Sequence, residues 1–280
     1  MADDNRDPEP VQTLHLFGPE RAALLDVLAG LSREEWNNAT ICPGWSVKDL
    51  AAHLVGDDLG IVSRWRDDER AGSIAAPSWA DLVAAINERN EVWVDALRRL
   101  SPAVILDLLR WTAEPTVAAL ARLDRVELAG AVSWAGPEPA PGWLHVAREF
   151  TERWHHQQQI REAAGARTLD DPQFLGPVLE TFARALPRAY AGLDAPAGTE
   201  LEIVFTGPAG SAWTLLRDSA AWRLLAGRAE HAAAVVRVDQ DAAWRLFTRG
   251  LRDGGAAKVV EVDGDERWRK PILSAVAIIA

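Results

Sequence analysis

The sequence predicts an α+β protein in which a helical bundle comes first and a small mixed domain follows. Three observations predict it. Apolar residues recur at helical spacing, with start and stop signals, from about residue 16 to 190. The short segment Leu193-Asp-Ala-Pro-Ala-Gly-Thr199 then interrupts the pattern. Beyond it the residues alternate and become β-branched, as strands do.

Residues 1–12 are polar, contain Pro8 and Pro10 and lack periodicity, so a disordered tail is expected there. The bundle is expected over residues 13–192. Leu16, Leu24, Leu25, Val27, Leu28 and Leu31 suit a first amphipathic helix. Pro43-Gly44 is a turn signal, and Ser46 with Asp49 resembles a capping box opening a helix that runs to about Arg66. A third helix covers Trp79 to about Leu100, and Ser101-Pro102 starts a fourth, which Pro115 should interrupt or kink. After a Pro/Gly-rich segment at residues 134–142, a long helix runs from Trp143 to about Ala164, with Gly165 at its C-cap. One more helix covers Pro172 to Tyr190. The second domain is expected over residues 196–280. Strands are expected at residues 201–205, 212–216, 221–225, 233–238 and 257–262, with a helix capped by Asp239 and a closing helix near Pro271.

A chain of 280 residues has room for one large or two ordinary domains. Its 41 acidic and 30 basic residues leave a net charge of −11, which would repel nucleic acid and anionic lipid. The single cysteine, Cys42, excludes an internal disulfide and a cysteine-based zinc cluster. No export signal or membrane-length apolar run is visible, so a cytoplasmic protein is expected. The oligomeric state is left open.

The informative helix is the one from Trp143. His145, Glu149, Glu152 and His156 share an arc of roughly 60°. A solvated polar face held by i,i+4 pairs fits that spacing too. Within the stripe, Glu152 and His156 stand one turn apart, which is how a helix presents two ligands to one ion. A third ligand must come from another helix, and His53 is the candidate, although a lone histidine there also suits a satisfied boundary residue. Asp57 and Arg64 read as a solvated edge of the same helix.

The segment Cys42-Pro-Gly-Trp-Ser-Val-Lys-Asp-Leu-Ala-Ala-His53 resembles the start of the DinB-like four-helix bundle of mycothiol-dependent maleylpyruvate isomerases. Glu152-Arg-Trp-His-His-Gln-Gln-Gln-Ile-Arg161 is similar to that family's second signature. The resemblance implies a divalent metal, usually zinc, held by His53, Glu152 and His156. It also implies mycothiol as thiol cosubstrate and a small electrophile as partner, for thiol S-transfer or thiol-assisted isomerisation. The C-terminal part resembles the family's smaller, sterol-carrier-like domain. Where relatives often carry Asp, this chain has Gln159, removing a carboxylate from beside the implied metal. A non-catalytic metal-binding or small-ligand-binding protein on the same bundle is the alternative.

Other residues offer less. Cys42 reads as a small buried apolar residue without a basic partner. His155 projects some 100° from His156 and reads as surface or interhelix packing. His145 lies roughly 16 Å along the helix from His156, too far to share its ion. Arg245 and Arg249 could meet an acidic substrate, or simply line an exposed helix face. Gly207-Pro-Ala-Gly210 reads as a hairpin loop. The catalytic residues themselves are not identified by the sequence.

Overall fold

The computed structural model describes residues 7–69, 74, 76, 78–251, 255 and 258–278. The chain divides into two compact units. One comprises Thr13–Glu127 and Arg148–Leu169; the other comprises Leu128–Ala147, Asp170 onward and the described residues before Thr13.

The first unit is helical: α1 Phe17–Gly30, α2 Val47–Ile61, α3 Trp79–Leu97, α4 Pro102–Leu120 and, from Arg148 on, α5 Gly142–Ala163. These helices begin where side chains cap them. Ser46 accepts from Asp49 N while Asp49 accepts from Ser46 N, a complete capping box at α2. The Ser78 and Ser101 side chains accept from Asp81 N and Val104 N and so cap α3 and α4 without the reciprocal bond. The i,i+4 apolar stripe of α2, Val47, Leu50, Ala51 and Leu54, buries against Leu24, Leu28, Leu97, Ile105, Leu109 and Ile160. Two expectations are refined here. The helix expected to run to Arg66 loosens into a π-helical turn over Val62–Arg66. Pro115 does not interrupt α4, because the buried Thr116, Ala119 and Leu120 beyond it offset the one backbone bond it removes.

The second unit carries α6 Pro172–Ala183, α7 Leu186–Tyr190 and a five-stranded sheet. A hairpin of β1 Leu128–Ala131 and β2 Pro139–Pro141, not foreseen because prolines fill β2, precedes them. The helix expected over residues 172–190 breaks before Pro187, which has no N–H to continue it. The sheet strands are β3 Glu200–Thr206, β4 Ala212–Arg217, β5 Trp222–Ala226, β6 Ala232–Asp239 and β7 Val260–Asp263. Their order is β5-β4-β3-β6-β7, with β3 and β6 parallel and the other neighbours antiparallel. Gly207 to Gly210 turns the β3–β4 hairpin, with Gly207 at φ 119°. Asp239 caps α8 Gln240–Phe247, and α9 Arg269–Leu273 closes the described chain. Residue 257, where the last strand was expected to begin, lies outside the described residues.

Of the expected disordered tail, residues 1–6 lie outside the described residues. Residues 8–11 are held: Val11 is buried, and Arg184 donates to the carbonyls of Pro8 and Glu9 at 3.3 and 2.7 Å. Among the described residues no helix is long and apolar enough to cross a membrane.

Candidate metal centre

The three residues singled out by spacing meet inside the bundle. One ligand atom from each of His53, Glu152 and His156 lies within 4.8 Å of the other two. Glu152 Oε1 sits 3.1 Å from His156 Nε2 and 3.9 Å from His53 Nε2. The two imidazoles stand edge to face with ring centroids 4.7 Å apart. Trp45, on the turn before α2, packs on the His53 ring at 5.3 Å. The histidine side chains are nearly dry, at 5% and 8% exposure, whereas Glu152 keeps 26%. Solvent therefore reaches the trio past Glu152.

Carboxylates and imidazoles shift one another here. Loss of water works against an ionised Glu152, yet hydrogen bonds and charge from His156 and His53 hold it well below the usual carboxylate range. Burial opposes a charged His53, but the Asp57 and Glu152 carboxylates outweigh it and raise the imidazole. Two imidazole nitrogens and one carboxylate oxygen converging at this range are a donor set that suits zinc or a similar divalent ion. These residues fit the metal that the family resemblance implies.

Of the residues around the trio, Asp57, Cys42 and Gln159 differ from their sequence readings. Asp57 is not a solvated edge: its Oδ2 lies 3.3 Å from His53 Nε2, and burial pushes its carboxyl up. The signal was present, since Asp57 follows His53 by one helical turn. His155 is buried, which the interhelix alternative of its reading allows and the surface alternative does not. Cys42 is not merely apolar: its Sγ donates to Gln159 Oε1 at 3.4 Å, and burial raises its thiol. Gln159 is the hub. Its Oε1 accepts from His156 Nδ1 at 2.7 Å, and its Nε2 lies 2.9 Å from His155 Nε2. The bond at Nδ1 directs Nε2 of His156 towards Glu152, the orientation that a metal ligand needs.

The rest of the polar stripe does other work. Glu149 pairs with Arg148 and, at 3.2 Å, with Arg153. His145 bonds the carbonyl of Gly130 within the second unit. Arg245 pairs with Asp241 at 2.9 Å on α8.

A helical bundle whose second and fifth helices bring two histidines and a carboxylate to one point belongs to the class of candidate metal-binding bundle proteins. The family is more specific. The model of the mycothiol maleylpyruvate isomerase N-terminal domain matches residues 17–161, which include all three residues, and the chain belongs to that family. Among solved structures it is similar to a mycothiol-dependent maleylpyruvate isomerase, at 14% identity and a TM-score of 0.53 over 89% of this chain and 91% of that one. A histidine-to-alanine mutant of that enzyme matches at 12% identity and the same TM-score and coverage. At these identities the likeness shows the fold. No curated protein matches the chain.

Proposed function

We propose that this protein is a mycothiol-dependent enzyme, with isomerisation as its reaction, whose bundle holds a divalent metal through His53, Glu152 and His156. The convergence of the three ligand atoms carries the reading, and the family membership and the names of its solved relatives support it. When bound, the ion supplies Lewis acidity that lowers the pKa of a thiol or water in its remaining position.

The chain's own residues prepare that position. His53 and His156 offer Nε2, and Glu152 offsets part of the cation's charge. Gln159 orients the His156 ring through Nδ1. The two histidine side chains are nearly dry, while the Glu152 and Asp57 side chains beside them keep 26% and 25% exposure. In thiol-assisted isomerisation, sulfur adds to one carbon of a conjugated double bond, which becomes single and rotates. Expulsion of the same sulfur restores the double bond, so atoms and electrons balance and the thiol is recovered. A neutral Gln159 beside His156, where relatives often carry a carboxylate, favours a second reading: S-transfer, in which the sulfur stays on the electrophile.

The test is metal content of protein purified without a histidine tag, followed by thiol-dependent turnover of conjugated electrophiles with and without zinc. Stoichiometric metal and zinc-dependent isomerisation are expected. Full metal loading with no thiol-dependent reaction on any electrophile would leave a binding protein instead.

A further inference from the structure

Asp58 lies at the centre of a buried ionic cluster whose members neighbour the candidate ligands in sequence. It sits on α2, the helix of His53, while Arg153 directly follows Glu152 on α5. The side chains of Asp58, Arg153 and Arg21 are 0%, 1% and 7% exposed. Arg153 donates to Asp58 Oδ1 through Nε and Nη2 at 3.2 and 2.9 Å. Arg21 of α1 and Thr112 of α4 donate to Oδ2 at 2.8 and 2.5 Å. A second prong of Arg21 donates to the Leu109 carbonyl at 2.7 Å. Four helices thus meet on one carboxylate.

Such a cluster is a poor way to gain stability. Taking each charge out of water costs several kcal/mol, and apolar residues of similar volume often serve as well or better. What a two-pronged guanidinium contributes is direction: it fixes both separation and rotation. Apolar contacts between α2 and α5 tolerate sliding and turning far better. A metal centre does not, because its ligand distances must hold to within about 0.2 Å. A slip of one residue moves a helix by about 1.5 Å and turns it by about 100°.

We propose that Arg21, Asp58 and Arg153 are positioning residues, holding α2 and α5 in the register that brings His53 to Glu152 and His156. The proposal rests on the reading above that those three bind a divalent ion. The test is the triple variant Arg21→Met, Asp58→Leu, Arg153→Met, compared with wild type in two measurements. One is the melting temperature of the metal-free protein; the other is zinc affinity by competition with a chromophoric chelator. Zinc affinity is expected to fall by about ten- to a hundredfold, and to fall likewise at a temperature where the metal-free variant is fully folded. The visible spectrum of the cobalt(II) form should change with it, which a purely structural role would not require. Should the triple variant not fold, Arg153→Lys decides, since it keeps the charge and loses the fork; a several-fold loss of zinc affinity is expected. The deciding variant binding zinc within about twofold of wild type, with an unchanged cobalt spectrum, overturns the proposal. Wild-type protein that binds no zinc at all removes the metal reading, and this proposal with it.

Discussion

Glu152 Oε1 stands between two imidazoles, 3.1 Å from one and 3.9 Å from the other, so removing it takes away the one carboxylate oxygen that both nitrogens share and leaves Asp57 beside His53 alone. His53→Ala, Glu152→Ala and His156→Ala are each expected to lose bound metal, measured by elemental analysis after gel filtration. Stoichiometric metal in the Glu152→Ala, His156→Ala double variant would overturn the ligand set. Gln159→Leu should keep the ion but weaken it about ten- to a hundredfold, because His156 loses the bond at Nδ1 that orients it. Glu20 on α1 makes a different prediction. Burial lifts its carboxyl from 4.5 to about 7, more than nearby Arg21 and Arg153 lower it. The folded state therefore holds a proton that the unfolded chain has released between those values. Stability falls as pH rises from about 4.5 to about 7 and levels off above, by an amount on the order of 1–3 kcal/mol. In chelated protein, Glu20→Gln should remove that slope and be more stable than wild type at pH 8, as urea midpoints at pH 5 and pH 8 will report.

At the scale of elements, α2 depends on its first turn and on one glycine. Ser46→Ala breaks the capping box and should cost about 1 kcal/mol in denaturant unfolding. Gly56 faces the Trp93 indole so closely that an added Cβ would lie 2.5 Å from its Nε1. That nitrogen donates to the Ala52 carbonyl at 2.9 Å, so Gly56→Ala displaces a ring that is bonded in place. These elements were legible in the sequence because their causes are local: Ser46 with Asp49, Ser101 with Pro102, and a turn between Glu152 and His156. Gly44 and Gly165, at φ 81° and 64°, likewise stand where a turn and a helix end need the left-handed region. What stayed hidden was non-local. Nothing near Asp58 in the chain announces Arg21 or Arg153, and nothing near Gln159 announces Cys42. The β1–β2 hairpin was hidden for the opposite reason, since Pro139 and Pro141 argue locally against a strand.

For the whole molecule, the division into units leaves α6 and α7 with the sheet. Phe182 packs on Phe247 at 5.6 Å, and the Tyr190 hydroxyl donates to the Trp268 carbonyl at 2.9 Å. The bundle's core and its candidate ligands all precede residue 170. A fragment ending at residue 192 is therefore expected to be helical and to bind zinc, while exposing the apolar sides of α6 and α7 to a hydrophobic dye. A fragment that circular dichroism finds unfolded would show that the bundle does not stand by itself.

The interleaved order of the units also sets a timetable for synthesis. Leu128–Ala147 leaves the ribosome after α1 to α4 and before the rest of α5, although it belongs to the other unit. During that interval the nascent chain carries Asp58 without Arg153, His53 without its partners, and apolar stripes on α1, α2 and α4 awaiting Ile160. Those faces are what a chaperone would grasp and what would aggregate in its absence. Translation arrested within residues 128–147 should thus yield sticky chains that cannot take up metal, and synthesis continued through residue 169 should release chains that can.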